Sequence, residues 1–423
     1  MINFKQALNI ILETTEVLQP QDVNILSALD YVLAEDIYSN TDIPHFDNSA
    51  IDGYAVIAED TKGATKDNPK ILEIIEELPA GYLPTKELKN TTAIKIMTGA
   101  IIPKNADAVI MVEDTEILAT DPKKVKVFKE VSKGENIRLK GENVKKGELV
   151  ISKGQILNPG KISMLASLNI QKVKVYRRPT VGILVTGDEL VELDEELSEG
   201  KVRNSNTYGL YAQVTKYGGI PINLGIARDN IIELRDKIKS AIYSVPSTIN
   251  HQLSTINYKL STSYDILLIS AGISVGEYDF VKNVLSELSG EIKFWQIAQK
   301  PGKPLAFGKI NNTLIFGLPG NPVSSMVCFE MYVRPCLLKM QGKNFEPQQV
   351  TATIKEKITK KKGLRYFVRV KLNRTENGYE AITTGPQGSG ILKSMVLADG
   401  LLILPEDVEV ANPGDKFLVQ LFQ

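Results

Sequence analysis

Three short loops each follow a run of apolar residues and combine glycine with polar side chains: TGDE at 186–189, SAGISVGE at 270–277 and GLPGNPVS at 317–324. Glycine permits positive φ and lets backbone N–H groups approach a ligand closely. Pro322 after Asn321 suits the first turn of a helix, whose free amides favour an anion. One such loop is ordinary turn chemistry, but three in one region favour an anion-binding site.

Two lysines and four carboxylates accompany these loops. Lys300 and Lys303 lie in KPGKP, where two prolines and a glycine restrict the backbone around the ammonium groups. A pair held in this way predicts an ordered site for phosphate or another oxyanion, although a solvated turn is the simpler alternative. The carboxylates could hold Mg²⁺ or orient an attacking oxygen, or could only cap helices. They are Asp188, Glu189, Glu277 and Asp279.

The elements that must position these residues follow from the hydrophobic pattern. From residue 178, near-continuous apolar strands alternate with helical patterns, which predicts a mostly parallel sheet covered on both faces. Residues 1–40 indicate one or two amphipathic helices, and short alternating strands separated by turn residues follow from about residue 50. Beyond about residue 345, alternating strands predict a closing β-barrel or sandwich.

We therefore predict a multidomain α/β and β protein. The predicted domains are an N-terminal helical domain of residues 1–40 plus 144–177, an inserted β-rich domain of 41–143, an α/β domain of 178–340 and a C-terminal barrel of 341–423. Residues 246–263 are rich in Ser, Thr and Asn and are expected to form a surface insertion, for which the sequence indicates no role.

Composition excludes several classes of chemistry. Two histidines and two cysteines leave almost no ligands or bases for zinc sites, thiol catalysis or Ser-His-Asp triads. Fifty basic and fifty acidic residues give no basic excess for nucleic acid. No apolar run reaches the roughly 18 residues of a membrane span. Cys328 and Cys336 fall in an apolar helical pattern and are predicted to be buried free thiols, so we expect the cytoplasm.

Charge is nevertheless segregated along the chain. Residues 186–200 hold seven acids and no base, whereas residues 351–375 hold nine bases and one acid. Solvated faces explain such blocks most simply, and we expect this of Lys360, Lys361 and Lys362. A dimer could instead bring the basic barrel of one subunit to the acidic loops of the other.

Six motifs, in order and spacing, resemble one family. FDNSAIDGYAV, IKIMTGA, TGDEL, SAGISVGEYDF, KPGKP and GLPGNPVS are similar to the motifs of the MoeA family of molybdopterin molybdenumtransferases, which includes the C-terminal domain of gephyrin. The resemblance covers nearly the whole chain. It implies a molybdopterin-binding-like α/β domain beside the other three domains, and a homodimer with its active site between subunits. It further implies that molybdate enters adenylylated molybdopterin, that AMP is released by hydrolysis, and that Mg²⁺ takes part.

The resemblance also assigns site residues by position. Asp52, Glu189 and Asp279 match family acids and would position the hydrolytic step, with Glu189 and Asp279 as Mg²⁺ ligands; which acid holds the metal is open. The substrate-binding residues would be Thr98, Arg138, Asp229, Ser274, Lys300, Lys303, Pro319, Gly320, Asn321, Pro322, Arg369 and Ser389. Two positions depart from the family pattern: Asn143 replaces a frequent aspartate, and Ala271 a usual glycine.

Two other functions fit parts of this pattern. A scaffold resembling the gephyrin C-terminal domain would present a groove to receptor peptides, but the oxyanion residues are retained here. The molybdopterin adenylyltransferase step uses a fold similar to the α/β domain, but the resemblance extends over the flanking domains as well. Tungstate is an alternative to molybdate, since the two anions have nearly the same size and charge. The implied partners are the adenylyltransferase and acceptor molybdoenzymes.

Overall fold

The structure, a computed structural model, describes residues 1–243, 264–271, 280–288 and 290–422. The chain forms two compact units: Met1–Ala34, Ile156–Asn158 and Lys172–Gln423 make the first, and Glu35–Gln155 and Pro159–Gln171 the second. The four finer domain boundaries stay predictions. The insertion at 246–263 and the segment that contains Ser274, Glu277 and Asp279 lie outside the described residues.

A six-stranded sheet forms the centre of the first unit. In sheet order its strands are Ile220–Ala227, Thr180–Thr186, Ile266–Ser270, Thr313–Leu318, Pro304–Ile310 and Glu291–Gln296. The first four run parallel, as the apolar runs predict. Pro304–Ile310 pairs antiparallel with Thr313–Leu318, and Glu291–Gln296 pairs antiparallel with Pro304–Ile310. Because the parallel strands share one direction, the loops after residues 186, 270 and 318 meet at one edge.

Helices cover both faces of this sheet and explain its apolar strands. One face packs against Phe4–Thr14, Asn206–Lys216, Pro322–Cys328, the π-helix Phe329–Val333 and Arg334–Met340. The other packs against Ile231–Tyr243 and Phe280–Glu287. Cys328 and Cys336 are buried free thiols in the first of these layers, as predicted.

The N-terminal segment, for which one or two helices were expected, holds one α-helix. Asn3 begins it: the Asn3 side chain accepts from the Gln6 amide, and the Gln6 side chain accepts from the Asn3 amide. The next element, Pro20–Asn24, is a strand that pairs with Lys172–Tyr176. This two-stranded ladder gives its backbone groups hydrogen-bond partners. The short 3₁₀-helix Ile25–Ser27 follows.

A closed five-stranded barrel completes the first unit. Its strands, in ring order, are Arg365–Thr375, Gly378–Thr383, Gln349–Ile354, Lys416–Leu421 and Gly400–Leu404, and the last pairs with the first. The pair Ile358–Thr359 and Val410–Ala411 and the helix Lys393–Val396 accompany it. The short strand Gln299–Lys300 joins Arg365–Thr375 in parallel, which ties KPGKP to the barrel. The predicted barrel is thus confirmed.

The second unit is rich in β-structure, as predicted. Its sheet has six strands in the order Ala108–Met111, Gly53–Val56, Thr92–Ile96, Lys70–Leu78, Lys124–Val127 and Thr115–Ile117. Two smaller ladders pair Ile137–Arg138 with Asn48–Ser49, and Leu149–Ile151 with Ile37–Tyr38. Its longest helix is Pro159–Ser167, and Ala58–Thr61 and Val112–Asp114 are 3₁₀-helices. Among the described residues of both units, no helix could cross a membrane.

Candidate functional site

A cavity of about 1050 Å³ lies at the carboxyl edge of the parallel strands. Its walls come from residues within 186–190, 202–206, 270–271, 299–304, 319–324 and 387–389, all in the first unit. This volume suits a ligand larger than a single small anion, because small-molecule sites span about 300–1,000 Å³. The predicted site residues that line it are Glu189, Lys300, Lys303, Pro319, Gly320, Asn321, Pro322 and Ser389.

The TGDEL loop presents the carboxylate of Glu189 to this cavity. Gly187 has φ +148°, which favours glycine, and a Cβ there would lie 2.5 Å from Glu189 Oε2 and would displace the carboxylate. Asp229 does not line the cavity; its carboxylate accepts from the Asp188 amide at 3.3 Å, and the Asp188 carboxylate accepts from the Asp229 amide at 3.2 Å. Asp229 therefore holds the loop that carries Glu189.

The KPGKP segment is held from two sides. Lys300 pairs with Tyr366 of the barrel, and its Nζ lies 5.4 Å from the centre of the Tyr366 ring. Gly302 has φ +87°, and a Cβ there would lie 2.4 Å from Cys328 Sγ, so this turn requires glycine. Lys300 and Lys303 are both exposed, and within the described ranges neither forms an ion pair. The segment thus offers two ammonium groups to an anion in the cavity.

One asparagine joins two of the strand-end loops. Asn206 Nδ2 donates to Ser270 Oγ and to the Gly320 carbonyl, both at 2.8 Å. Asn321 begins the helix Pro322–Cys328 as predicted, although its side chain makes no capping hydrogen bond. The Val323 amide donates to the Ser389 carbonyl at 3.2 Å, so a barrel loop is attached to the same helix start.

Thr186 and Ala271 line the cavity at the ends of two neighbouring strands. The hydroxyl of Thr186 is buried and has no hydrogen-bond partner among the described residues, so it is available to a ligand. Ala271 adopts φ +77°, a conformation that favours glycine, and a Cβ placed at Gly320 would lie 3.1 Å from the Ala271 methyl. The methyl group that departs from the family pattern therefore narrows the gap between two neighbouring loops.

Arg369 lies beneath the cavity wall and not in it. Its side chain is buried, and its guanidinium donates to Ser394 Oγ and to the Gly388 carbonyl, both at 3.1 Å. Burial lowers the pKa of Arg369 to about 10. Arg369 thus positions the loop 387–389, and its direct contact with substrate stays a prediction.

Three predicted site residues belong to the second unit. Asp52 and Thr98 lie together: the Asp52 carboxylate accepts from the Thr98 amide at 2.7 Å and from its hydroxyl at 2.8 Å. These two donors lower the pKa of Asp52. Arg138 is exposed and pairs through its backbone with Asn48. Their roles toward substrate stay predictions.

The second departure from the family pattern affects the turn after Arg138. Asn143 is exposed, and the neighbouring Glu142 carboxylate accepts from the Leu139 amide at 2.8 Å. Glu142 therefore stabilises its own turn.

Several residues that line the cavity were not predicted from the sequence. Gln299 is buried and donates to the Pro301 carbonyl at 3.1 Å, while its Oε1 accepts from the Tyr332 hydroxyl. The polar run RNSN at 203–206 leads into the helix that begins at Asn206. Its position at a helix start was the signal in the sequence that could have indicated these lining residues. Such a run usually caps a helix, so only the fold shows that it reaches the cavity.

A resident magnesium ion has few candidate ligands in this structure. No group of three or more His, Cys, Asp or Glu side chains able to hold a metal occurs among the described residues. Glu189 alone presents a carboxylate to the cavity in that part of the chain. One carboxylate still fits Mg²⁺, which commonly binds through one or two carboxylates, water and substrate phosphates.

These features define a class: a multidomain α/β protein with a cavity at the carboxyl edge of its parallel strands, lined by glycine loops and by two lysines that form no ion pair with the described residues. Three family models match the chain. The MoeA N-terminal region (domains I and II) matches residues 2–169, a probable molybdopterin binding domain matches 182–339, and the MoeA C-terminal region (domain IV) matches 351–422.

Relatives of similar length agree with these matches. A molybdopterin molybdenumtransferase of Staphylococcus epidermidis is 33% identical over 408 residues, covering 96% of this chain and 91% of the relative. A molybdopterin biosynthesis MoeA protein of Pyrococcus horikoshii has a crystal structure similar to this fold, with a TM-score of 0.76 and 34% identity over 100% of both chains. A second such structure gives a TM-score of 0.80 at 33% identity, over 100% of this chain and 99% of the other.

The chain belongs to the MoeA family of molybdopterin molybdenumtransferases. This membership confirms the family resemblance and makes the chain a transferase of molybdenum cofactor biosynthesis.

Proposed function

We propose that this protein inserts molybdate into adenylylated molybdopterin, with hydrolysis of the phosphoanhydride and release of AMP. The proposal rests on the cavity. Lys300 and Lys303 line it together with three strand-end loops, and neither lysine has an ion-pair partner among the described residues. Both substrates are oxyanions that cations and N–H donors bind. The sulfur ligands of molybdenum belong to the substrate, which suits a chain with two buried cysteines.

The positively and negatively charged side chains of the cavity have separate proposed roles. Lys300 and Lys303 neutralise the phosphoanhydride and the incoming tetrahedral oxyanion, which repel each other in solution. The loop fixed by Asn206 holds the backbone of Gly320 at the cavity wall, where little reorganisation is needed on binding. Glu189 lines the same cavity as these lysines, and we propose that it orients the water that attacks the anhydride.

We propose Glu189 as a ligand of Mg²⁺ together with substrate phosphate oxygens. When bound, the ion would supply Lewis-acid stabilisation of the charge that develops on the anhydride. Asp279, the other predicted ligand, lies outside the described residues. Asp229 positions the loop that carries Glu189, because its carboxylate accepts from the Asp188 amide, and its contact with substrate stays a prediction.

We also propose a cytoplasmic homodimer that receives its substrate from the adenylyltransferase and passes its product to acceptor molybdoenzymes. Light scattering on the purified chain tests whether it is a dimer. A mass of two chains is expected, and a mass of one chain of 46.7 kDa at assay concentration would exclude the dimer.

The reaction is tested by measuring how much molybdenum enters the pterin product for each AMP released. The protein is incubated with adenylylated molybdopterin, Mg²⁺ and molybdate, and the pterin product is separated and analysed for molybdenum beside AMP. One molybdenum per AMP is expected, with tungstate in a parallel arm and sulfate as a tetrahedral control. AMP without metal in the pterin product would contradict the proposal.

A further inference from the structure

Three consecutive carbonyl groups in the KPGKP segment, those of residues 301–303, are held by the protein core. Each oxygen accepts a hydrogen bond, and all three donors belong to fully buried residues. The bonds run from Gln299 Nε2 to Pro301 at 3.1 Å, from Cys328 Sγ to Gly302 at 3.6 Å and from the Ile297 amide to Lys303 at 2.9 Å. Because a carbonyl oxygen carries partial negative charge, these bonds keep negative dipoles away from an anion in the cavity.

Gln299 differs from the other two donors because its side chain could bind in two orientations. A side-chain amide has a donor nitrogen and an acceptor oxygen at nearly equivalent positions, so a half-turn exchanges them. In the reversed orientation Oε1 would meet the Pro301 carbonyl, and two oxygens with no hydrogen between them repel each other. The bond to Pro301 therefore requires a second contact that fixes the amide.

Tyr332 provides this second contact. Its hydroxyl donates to Gln299 Oε1, and its side chain is 0% exposed within the π-helix Phe329–Val333. Burial is the largest cause that raises the pKa of Tyr332, so the hydroxyl keeps its proton at neutral pH. The ring packs against Phe4, with the ring centres 5.5 Å apart. A donor held at this place selects the oxygen of the Gln299 amide and leaves Nε2 for Pro301.

We propose that Gln299 and Tyr332 are a positioning pair for the anion site. Tyr332 sets the orientation of the Gln299 amide, and the amide holds the Pro301 carbonyl. The carbonyl in turn fixes the turn that carries Lys300 and Lys303. The proposal rests on the function proposed above, because that function assigns the two lysines to the phosphoanhydride and the oxyanion. A defect in the pair should therefore lower activity although no charge at the site has changed.

Substitutions of the pair separate its structural role from positioning. Tyr332→Phe leaves Gln299 Oε1 buried without this donor and should lower the melting temperature by about 2–6 °C. The double variant Gln299→Met/Tyr332→Phe replaces both partners by apolar groups of similar size and should recover most of that loss. It restores no donor to Pro301, which lines the cavity, so the carbonyl can turn toward water there.

Steady-state AMP formation tests whether the pair positions the lysines. Tyr332→Phe and the double variant should both lower kcat/KM for adenylylated molybdopterin about tenfold, because a small misplacement of a binding group can cost about 100-fold. Tyr217→Phe is the matched control, since the Tyr217 hydroxyl donates to Glu330 of the same π-helix. This control should lose stability and keep kcat/KM within about twofold of the wild type. Recovery of both stability and kcat/KM by the double variant would overturn the proposal.

Hydrogen exchange measured by mass spectrometry tests the same pair without substrate. The amides of residues 297–303 should exchange at least about threefold faster in Tyr332→Phe than in the wild type, because the turn opens more often. Tyr217→Phe should leave their exchange unchanged. Unchanged exchange in Tyr332→Phe would overturn the proposal, even if the double variant did not fold. Faster exchange with undiminished kcat/KM would also overturn it, since the turn would then move without effect on the lysines.

The positioning pair and the proposed function can fail separately. If only the pair fails, the wild type still releases AMP in dependence on molybdate, and Tyr332→Phe behaves like the control. If the proposed function fails, the wild type itself shows no such dependence. The exchange of residues 297–303 still reports whether the pair holds the turn.

Discussion

The charge chemistry of the cavity depends on two lysines whose surroundings leave them free to bind an anion. The strand pairing of Lys300 and the tight turn at Gly302 fix the backbone, so binding orders little more than the side chains. Neither ammonium is committed to a carboxylate in the described part of the chain. We expect their contribution to appear in both substrate binding and turnover.

Lys303→Ala is expected to lower kcat/KM for adenylylated molybdopterin by about 10- to 100-fold, because a charged hydrogen bond is worth about 1.5–3 kcal/mol. Lys371→Ala, at an exposed barrel position outside the cavity, is the control and should retain wild-type kinetics. Steady-state AMP formation measures both. Full turnover by Lys303→Ala would remove this lysine from the site.

Glu189→Gln keeps the shape of the side chain and removes its charge. The Mg²⁺ concentration that gives half the maximal rate is expected to rise about tenfold, since a carboxylate ligand is lost. Glu199→Gln, in the same acidic stretch and exposed, controls for the change in net charge. If the magnesium titrations of the wild type and Glu189→Gln coincide, Glu189 does not bind the ion.

The pKa of Asp52 reports its bond to Thr98. This pKa lies below the usual 3.8, first because of the Thr98 amide and then because of its hydroxyl, so Asp52 stays ionised and bonded at neutral pH. The stabilisation is present above pH 3.8 and is lost as the pH falls through the lower pKa of the folded state. Thr98→Val should raise the Asp52 pKa, whereas Thr98→Ser should preserve it. A carboxyl NMR titration that shows no difference would contradict this assignment.

Residues that act within a short motif could be predicted from the sequence, and residues that act across the fold could not. Lys300, Lys303 and Asn321 stand in rigid motifs whose local geometry indicates anion binding. Asn206 joins Ser270 and Gly320, more than 60 and 110 residues away, so its function depends on strand order. Arg369 was assigned to substrate binding only through the family resemblance, and the fold buries its side chain beneath the cavity wall.

At the scale of elements, the turn at Gly302 connects the KPGKP segment to the helix Pro322–Cys328. Cys328 Sγ and Gln299 Nε2 would lie 2.4 Å and 2.8 Å from a Cβ at Gly302, so the three groups pack as one unit. The lysines on either side depend on this packing for their position. An uncharged residue, Gly302, thereby positions the two lysines that we propose to bind the anion.

Gly302→Ala is expected to destabilise the fold by about 2–4 kcal/mol, from overpacking and from positive φ together. Thermal unfolding monitored by circular dichroism measures the loss. The double variant with Cys328→Ala should recover the overpacking part and leave about 1–2 kcal/mol of backbone strain. Strictly additive effects would show that the alanine methyl does not meet the cysteine.

The strand-loop-helix units of the parallel sheet could be predicted because each is local in sequence. Two antiparallel strands, Glu291–Gln296 and Pro304–Ile310, were not predicted, since they flank KPGKP and their pairing depends on the neighbouring strand Thr313–Leu318. Of the one or two helices expected in the N-terminal segment, the structure has one, because the rest of the segment pairs as a strand. Residues Pro20–Asn24 obtain their hydrogen bonds from a strand about 150 residues away.

For the whole molecule, the zero net charge results from the cancellation of separated blocks, and the barrel uses part of its own basic block. Lys360 is 6% exposed, and its Nζ donates to the Leu364 and Glu406 carbonyls, so the prediction of a solvated face is wrong for this residue. Arg365 pairs with Glu406 at 3.1 Å. Fewer than the nine basic residues of positions 351–375 are therefore available for the proposed attraction between subunits.

The central claim is that hydrolysis of the adenylylated substrate is coupled to insertion of the oxyanion. The most direct test follows AMP release by the wild-type protein with adenylylated molybdopterin and Mg²⁺ while molybdate is varied. AMP release should rise with molybdate and saturate, and it should be slow when molybdate and tungstate are both omitted. Equally fast AMP release without either anion, or no release with them, would contradict the account.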